Sequence, residues 1–299
     1  MLRLEIKDLI LWHKIMSILL NGDCLELLQD VGDKSVDLIF CDLPYGQTSC
    51  KWDCKIDLSK LWSEILRVKK LHTPIFFTTT TKFGVEIINS SPKNCPFRYD
   101  LVWVKSACVG FLSAKKMPMR KHEMLYVFYE KLPFYDLSSH THKFIKEGKK
   151  SEGDKGNECY GKFSYYNNGE KGYDPPLPVS VVKEVMNSEL YGELPTTDNY
   201  AESVGISKSD KHKVHYDPPL PTTMLEIKST RRKHSTEKPV ALMEWILKYY
   251  TKEGDVVLDP TMGSGSTGVA CKNMNRNFIG FELDGDIYDI AVNRIEGSE

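Results

Sequence analysis

The stretch DVVLDPTMGSGSTG at residues 255–268 constrains the fold more than any other part of the chain. Asp255 to Leu258 is a short buried-type strand, Gly263 to Gly268 a glycine-rich turn, and Val269 to Met274 a helix. Asn277 to Phe281 then reads as a second strand and Ile287 to Ile295 as a closing helix. Strand, turn, helix and strand in this order make a βαβ unit of the nucleotide-binding type. Its crossover helix commits the chain to an α/β architecture.

The N-terminal half keeps the same rhythm. VDLIFC at 36–41 is an apolar run that stops at Asp42-Leu43-Pro44-Tyr45-Gly46, so a buried strand ends in a turn-rich loop. From Asp57 to Leu71 the apolar positions recur at helical spacing, with Asp57 as the cap. Residues 74–79, 99–105 and 123–129 are rich in β-branched and aromatic residues and read as strands. Between about 131 and 235 this order breaks down, and Gly, Ser, Asn and Lys dominate. The hexapeptide YDPPLP occurs there twice, at 173–178 and 216–221, and is read as a pair of rigid polyproline connectors. Order returns at Pro239, suited to a first helical turn, with an apolar face from Val240 to Tyr250.

Composition excludes several classes. The 299 residues suffice for two average domains or for one α/β domain with an insertion, and no stretch reaches the roughly 18 uncharged residues of a membrane helix. Glu5, Lys7, Asp8 and Lys14 interrupt the apolar N-terminus and no small-residue cleavage site follows, so a cytoplasmic protein is expected. Met16 is an alternative start, since residues 1–15 match nothing in the pattern described below. With 40 basic against 41 acidic residues, any nucleic-acid affinity must come from local clusters. The eight cysteines are scattered, which suggests reduced thiols, and Cys50 and Cys54, with Cys41 nearby, lack the second pair of a zinc site, so no metal is expected.

The glycine loop satisfies the dinucleotide fingerprint, with Glu282 at the end of the following strand. Asp259, at the end of the preceding strand, would repel a pyrophosphate. It would attract a cation, and S-adenosylmethionine carries a sulfonium and an ammonium and no phosphate. Gly263 and Gly265 would let that donor approach the backbone, and Glu282 would accept hydrogen bonds from its ribose hydroxyls.

DLIFCDLPYG at 37–46 resembles the catalytic motif of DNA amino-methyltransferases, an Asp-x-Pro-Tyr after an apolar strand. DVVLDPTMGSGSTG resembles that family's methyl-donor motif, HSTEKPVALMEWI at 234–246 the segment upstream of it, and Asn21-Gly22-Asp23-Cys24 the small motif before the catalytic strand. The catalytic motif precedes the donor motif, the circularly permuted order of the family's β class. The resemblance covers roughly residues 17–296 and implies a Rossmann-like S-adenosylmethionine-dependent methyltransferase fold, a mixed sheet flanked by helices. It divides the chain into a catalytic half at 17–130, a target-recognition insertion at 131–233 and a donor-binding half at 234–299.

The resemblance implies a site-specific enzyme that methylates the N6 amine of adenine in double-stranded DNA. Asp42 and the backbone carbonyl of Leu43 would accept hydrogen bonds from the amine, Tyr45 would stack on the flipped base, and Pro44 would stiffen the loop. Asp259, Gly263, Gly265 and Glu282 would surround the donor, Thr236 and Lys238 would line its pocket, and Asp23 would lie near the target base or the donor's adenine. Leu43 stands where a second proline is commonest, and Ser235 replaces the proline usual after His234. Methyl transfer is direct, so no cysteine nucleophile is needed.

Two basic clusters, Lys115, Lys116, Arg120 and Lys121, and Arg231, Arg232 and Lys233, flank the irregular region and are candidates for gripping phosphates. A solvated basic face is the alternative for each. Trp52 is a candidate lid residue or local core. Asp174 and Asp217 start DPPL segments with leucine where an aromatic is needed, which rejects them as catalytic. Asp rather than Ser at position 42 favours adenine, and N4-cytosine methylation is the alternative. A protein-glutamine methyltransferase would carry Asn there. A nicotinamide oxidoreductase is opposed by Asp259, and a non-catalytic DNA-binding module by the intact motifs. The family further implies a homodimer and a cognate restriction endonuclease as possible partners, and a bacterial, phage or plasmid gene.

Overall fold

The computed structural model describes residues 17–45, 55–139, 141–144, 171–174, 181–183 and 237–297. They fall into a large unit, within residues 1–134 and 180–299, and a small one within 135–179. The strands of the large unit are β1 (Ser17–Asn21), β2 (Leu38–Cys41), β3 (Ile75–Thr79), β4 (Phe97–Val109) and β5 (Arg120–Phe128), joined later in the chain by three more. In the small unit β6 (Thr141–Phe144) and β7 (Lys171–Asp174) pair antiparallel, with Thr141 opposite Asp174. The last strands of the large unit are β8 (Val181–Lys183), β9 (Val256–Asp259) and β10 (Asn277–Glu282).

The large sheet runs β1-β10-β9-β2-β3-β5-β4-β8. Its first five strands are parallel, and β5 is antiparallel to both β3 and β4. It is a mixed sheet of the Rossmann-like kind that the sequence resemblance implies. Val181 to Lys183, inside the segment expected to be irregular, pair parallel with β4 at the sheet's edge.

Helices cover the sheet: α1 (Cys24–Leu27), α2 (Leu58–Val68), α3 (Thr81–Ser90), α4 (Val240–Tyr250), α5 (Ser266–Asn273) and α6 (Gly285–Glu296). None among the described residues is long and apolar enough to cross a membrane. Central β2, LIFC, is fully buried, as a parallel strand covered on both faces must be. Asp57 caps α2 by accepting from the Ser59 and Lys60 amides, and the helix buries Leu61, Trp62, Ile65 and Val68. It ends three residues before Leu71, which is exposed.

Helix α3 was not expected, because Gly84, Val85, Ile87 and Ile88 are poor helix formers. Thr80 caps it, and Phe83 and Ile87, one turn apart, are buried on its inner face. Helix α5 starts three residues earlier than its composition suggests. Gly265, at φ +83°, turns the chain directly into it. Close packing beneath α5 yields a stability prediction. A Cβ at Gly268 would lie 2.3 Å from Ile295 Cδ1 and 2.8 Å from Phe278 Cε1. Gly268→Ala should lower stability by about 1–3 kcal/mol, seen as a lower urea midpoint at unchanged slope.

The topology locates the site. From β9 the chain crosses through α5 to β10 on one side, and from β2 through α2 to β3 on the other. Neighbouring strands that lead away in opposite directions leave a crevice at their carboxyl ends, where open α/β sheets bind ligands. The Asp42 loop follows β2 and the glycine loop follows β9.

Candidate active site

A cleft of about 800 Å³ opens at this point, walled by the two loops, the start of α1 and the β4–β5 pair. Asp23, Asp42, Leu43, Pro44, Tyr45, Lys238, Asp259, Gly263 and Glu282 all line it. Gly265 is not part of the lining and caps α5. Thr236, Arg231, Arg232 and Lys233 lie outside the described residues, as do Trp52, Cys50, Cys54 and Asp217.

Asp42 is held from three sides. The Thr78 hydroxyl, at the end of adjacent β3, donates to its Oδ1, and Lys238 Nζ lies 2.5 Å from Oδ2. The Tyr45 hydroxyl is 3.4 Å from Asp42 Oδ1 and 3.5 Å from Glu123 Oε1. The Tyr45 ring packs 5.4 Å from that of Phe83, the buried residue of α3. Burial, with Asp42 and Glu123 alongside, pushes the phenol far above its ordinary range, so Tyr45 stays neutral. Leu43 is 2% exposed and belongs to the main core.

Lys238 sits at the Asp42 end of the cleft. Its ammonium bridges Asp42 and Glu123, the latter at 4.0 Å. Glu123 on β5 also pairs with Lys105 on β4 at 3.0 Å, and the Lys105 ammonium lies 5.1 Å from the Trp103 ring centroid. Thr78, Glu123 and Lys105 were not anticipated. The one available signal was a pair of opposite charges interrupting two apolar strands.

The glycine-loop end has the opposite character. Asp259 is 2% exposed and accepts from the Thr267 hydroxyl at 2.6 Å and the Thr261 amide at 3.1 Å. Burial pushes its carboxyl up to about 7. Glu282 accepts from the amides of Gly263 at 3.0 Å and Asp284 at 2.9 Å, and burial raises its carboxyl as well. The Gly22 amide donates to the Glu282 carbonyl and brings Asp23, which caps α1, to the same rim. Arg294 donates to the Ser264 carbonyl at 2.8 Å and pairs with Glu237 at 2.7 Å, tying the segment before α4 to the glycine loop.

Four acids, Asp23, Asp259, Glu282 and Asp284, therefore gather around the glycine loop. The lysines of the lining, Lys55, Lys105 and Lys238, pair with Glu86, Glu123 and Asp42. This donor set suits a cationic, ribose-bearing ligand and not a pyrophosphate.

The first basic cluster is smaller than expected. Lys115, Lys116 and Arg120 are exposed, but Lys121 is buried at 7% because alternation along β5 turns it inward where Arg120 points out. It is not a free surface cation.

The model of a DNA methylase family matches residues 36–293. The chain is 50% identical over 62 residues to the Type II methyltransferase M.HindIII of Haemophilus influenzae, covering 21% of this chain and 20% of that protein. It is 48% identical over 64 residues to the Type II methyltransferase M2.DpnII of Streptococcus pneumoniae, covering 21% and 24%. The match thus spans only about a fifth of the length of these curated relatives. Among solved structures, the M1.HpyAVI–SAM complex matches with a TM-score of 0.52 at 19% identity, over 93% of this chain and all of that one. The cytosine-N4-specific PvuII DNA methyltransferase matches with a TM-score of 0.54 at 14% identity, over 93% of this chain and 86% of that one. At such identities the likeness is one of fold.

Proposed function

We propose that this chain, which belongs to the DNA methylase family, transfers a methyl group from S-adenosylmethionine to the exocyclic N6 amine of adenine in double-stranded DNA. The observation that carries this reading is the partition of one cleft into an Asp42–Lys238–Glu123 end and an acidic end at the glycine loop. The Type II designation of both relatives supports site-specific action and a cognate endonuclease as partner.

When bound, the donor supplies an electrophilic methyl on a sulfonium. Asp259, Glu282 and Asp23 surround its cationic and ribose parts, and Gly263 lets the loop approach closely. At the other end an exocyclic amine is a poor nucleophile, since its lone pair is delocalised into the ring. Asp42 and the Leu43 carbonyl accept its N–H bonds and hold the amine with its lone pair towards the methyl. Asp42 needs no reorientation, because Thr78 and Lys238 already fix it. Tyr45 gives the flipped base an aromatic face. Lys115, Lys116 and Arg120, with Arg231, Arg232 and Lys233, take the phosphates, and the segment 131–233 reads the sequence.

The test is to incubate the protein with unmethylated genomic DNA and donor, digest to nucleosides and identify the product by mass spectrometry. N6-methyladenine is expected. N4-methylcytosine, the product of the alternative that the PvuII likeness favours, would keep the mechanism and overturn the base. Unmodified DNA in the presence of bound donor would overturn DNA as the substrate.

A further inference from the structure

The exposed basic residues of the first cluster sit on a hairpin whose tip is apolar. Beyond Val109 and Arg120, the outermost pair of β4 and β5, the chain turns through Phe111 and Leu112, which are 81% and 97% exposed. Met117 is exposed as well. Turns are served by small polar residues, so two adjacent large apolar side chains held in water at a tip point to something that covers them. From Val109 to Arg120 the sequence VGFLSAKKMPMR contains no acid, and the exposed Lys115, Lys116 and Arg120 follow the apolar pair on the same hairpin.

The same two strands wall the cleft. Trp103 and Glu123 are paired in the ladder and both line it. Arg120 is three residues beyond Glu123, so the tip begins roughly 10 Å along the strand from the cleft wall. Tyr45, whose hydroxyl lies 3.5 Å from Glu123, and the hairpin tip therefore stand at the same end of the sheet, where the cleft opens.

Resting on the proposed DNA reading, we infer that Phe111 and Leu112 form a wedge that enters the duplex and fills the gap left when the target nucleotide turns into the cleft. Extruding a base removes its stacking contacts on both sides and leaves an apolar hole open to water. Apolar side chains inserted between base steps replace those contacts, and cations beside them hold the flanking phosphates. Phe111 and Leu112 supply the first element, and Lys115, Lys116 and Arg120 the second. The wedge acts on the flipped state more than on initial binding, so its loss lowers the rate at saturating DNA and not the affinity.

The full chain is compared with Phe111→Ala/Leu112→Ala and with Lys115→Ala/Lys116→Ala, in single turnovers on unmethylated genomic DNA. The wedge variant should lose at least tenfold in saturated rate, with DNA affinity within about threefold and an unchanged salt dependence. The lysine variant should do the reverse, weakening binding and lowering the salt slope by about two. All four side chains are exposed, and unchanged donor binding by calorimetry verifies the fold. In parallel, the added indole emission of Phe111→Trp should be quenched by duplex DNA as it stacks between bases.

A wedge variant with wild-type saturated rate, or no quenching in Phe111→Trp, overturns the wedge. So does a tip that loses affinity for phosphatidylglycerol vesicles while DNA methylation is untouched, which would assign it to a lipid surface. If the wild type modifies no DNA, the proposed function fails, and the quenching, which needs no methyl transfer, still decides whether the tip inserts.

Discussion

Asp42→Ala is expected to reduce methyl transfer by two to three orders of magnitude while donor affinity stays within a few-fold. The size follows from how the carboxylate is held. The Thr78 hydroxyl and the Lys238 ammonium occupy it from β3 and from the segment before α4, and the Tyr45 hydroxyl approaches from its own loop. An acceptor already oriented in a partly buried cleft costs no reorganisation when the amine begins to lose its proton. Removing one such group from a preorganised site typically costs about 10²–10³ in turnover. The donor end is built from other residues, at the ends of β9 and β10, so calorimetry should find binding nearly intact.

The substitution also strands Lys238, which is 11% exposed. Leaving a buried charge alone costs about 3–5 kcal/mol, but Glu123 lies 4.0 Å away and remains as partner, so the measured loss of stability should be well below that. A variant that retains more than a tenth of wild-type single-turnover rate would remove Asp42 from the chemistry. A variant that unfolds before assay would instead show that Glu123 does not take over, and Asp42→Asn, close in shape, then carries the kinetic test.

What the sequence made legible was what lies along one stretch of chain. DLIFCDLPYG and DVVLDPTMGSGSTG each contain a strand, its loop and the residues the loop carries, so Asp42, Tyr45, Asp259 and Gly263, which all line the cleft, are legible as candidates without the sheet order. Thr78, Lys105 and Glu123 are not. They come from β3, β4 and β5, and only the placement of antiparallel β5 between β3 and β4 brings them to Tyr45 and Lys238. Lys238 was noticed, but its contact with Asp42 spans 196 positions and its motif names no partner. Helix α3 escaped because its propensity is poor and its support is tertiary, the burial of Phe83 and Ile87. Lys121 belongs to a charge run along the sequence, whereas the strand sends alternate residues to opposite faces and buries it. Nothing in the sequence marks Phe111 and Leu112 as exposed, since exposure cannot be read from a hydrophobic letter.

Asp259 is expected to make both stability and donor binding depend on pH, in opposite directions. Its carboxyl is buried and lies at about 7, raised first by loss of solvation and further by the charges of Asp42 and Glu282. The hydrogen bonds from Thr267 and Thr261 favour the anion and only partly offset this. A raised carboxyl contributes stability that is fully present below its ordinary value near 3.8 and lost as pH rises through about 7. A shift of that size corresponds to about 4 kcal/mol, a large share of the stability of an ordinary domain. The donor-free protein should therefore weaken between pH 4 and 8 from this group, and Asp259→Asn should flatten that slope and raise stability at pH 8. Donor binding runs the other way. A cation beside Asp259 favours its ionised form and typically lowers such a carboxyl by one to three units, so affinity should rise about five- to tenfold from pH 6 to 8, with a proton released on binding below pH 7. Calorimetry in two buffers of different ionisation enthalpy counts that proton. Asp259→Asn, which keeps the shape and cannot ionise, should bind the donor ten- to a hundredfold more weakly at pH 8 and release none. Equal affinity in variant and wild type at pH 8 would leave Asp259 as an anchor for Thr261 and Thr267 alone, with the acidic rim of Asp23, Glu282 and Asp284 carrying the donor's charge.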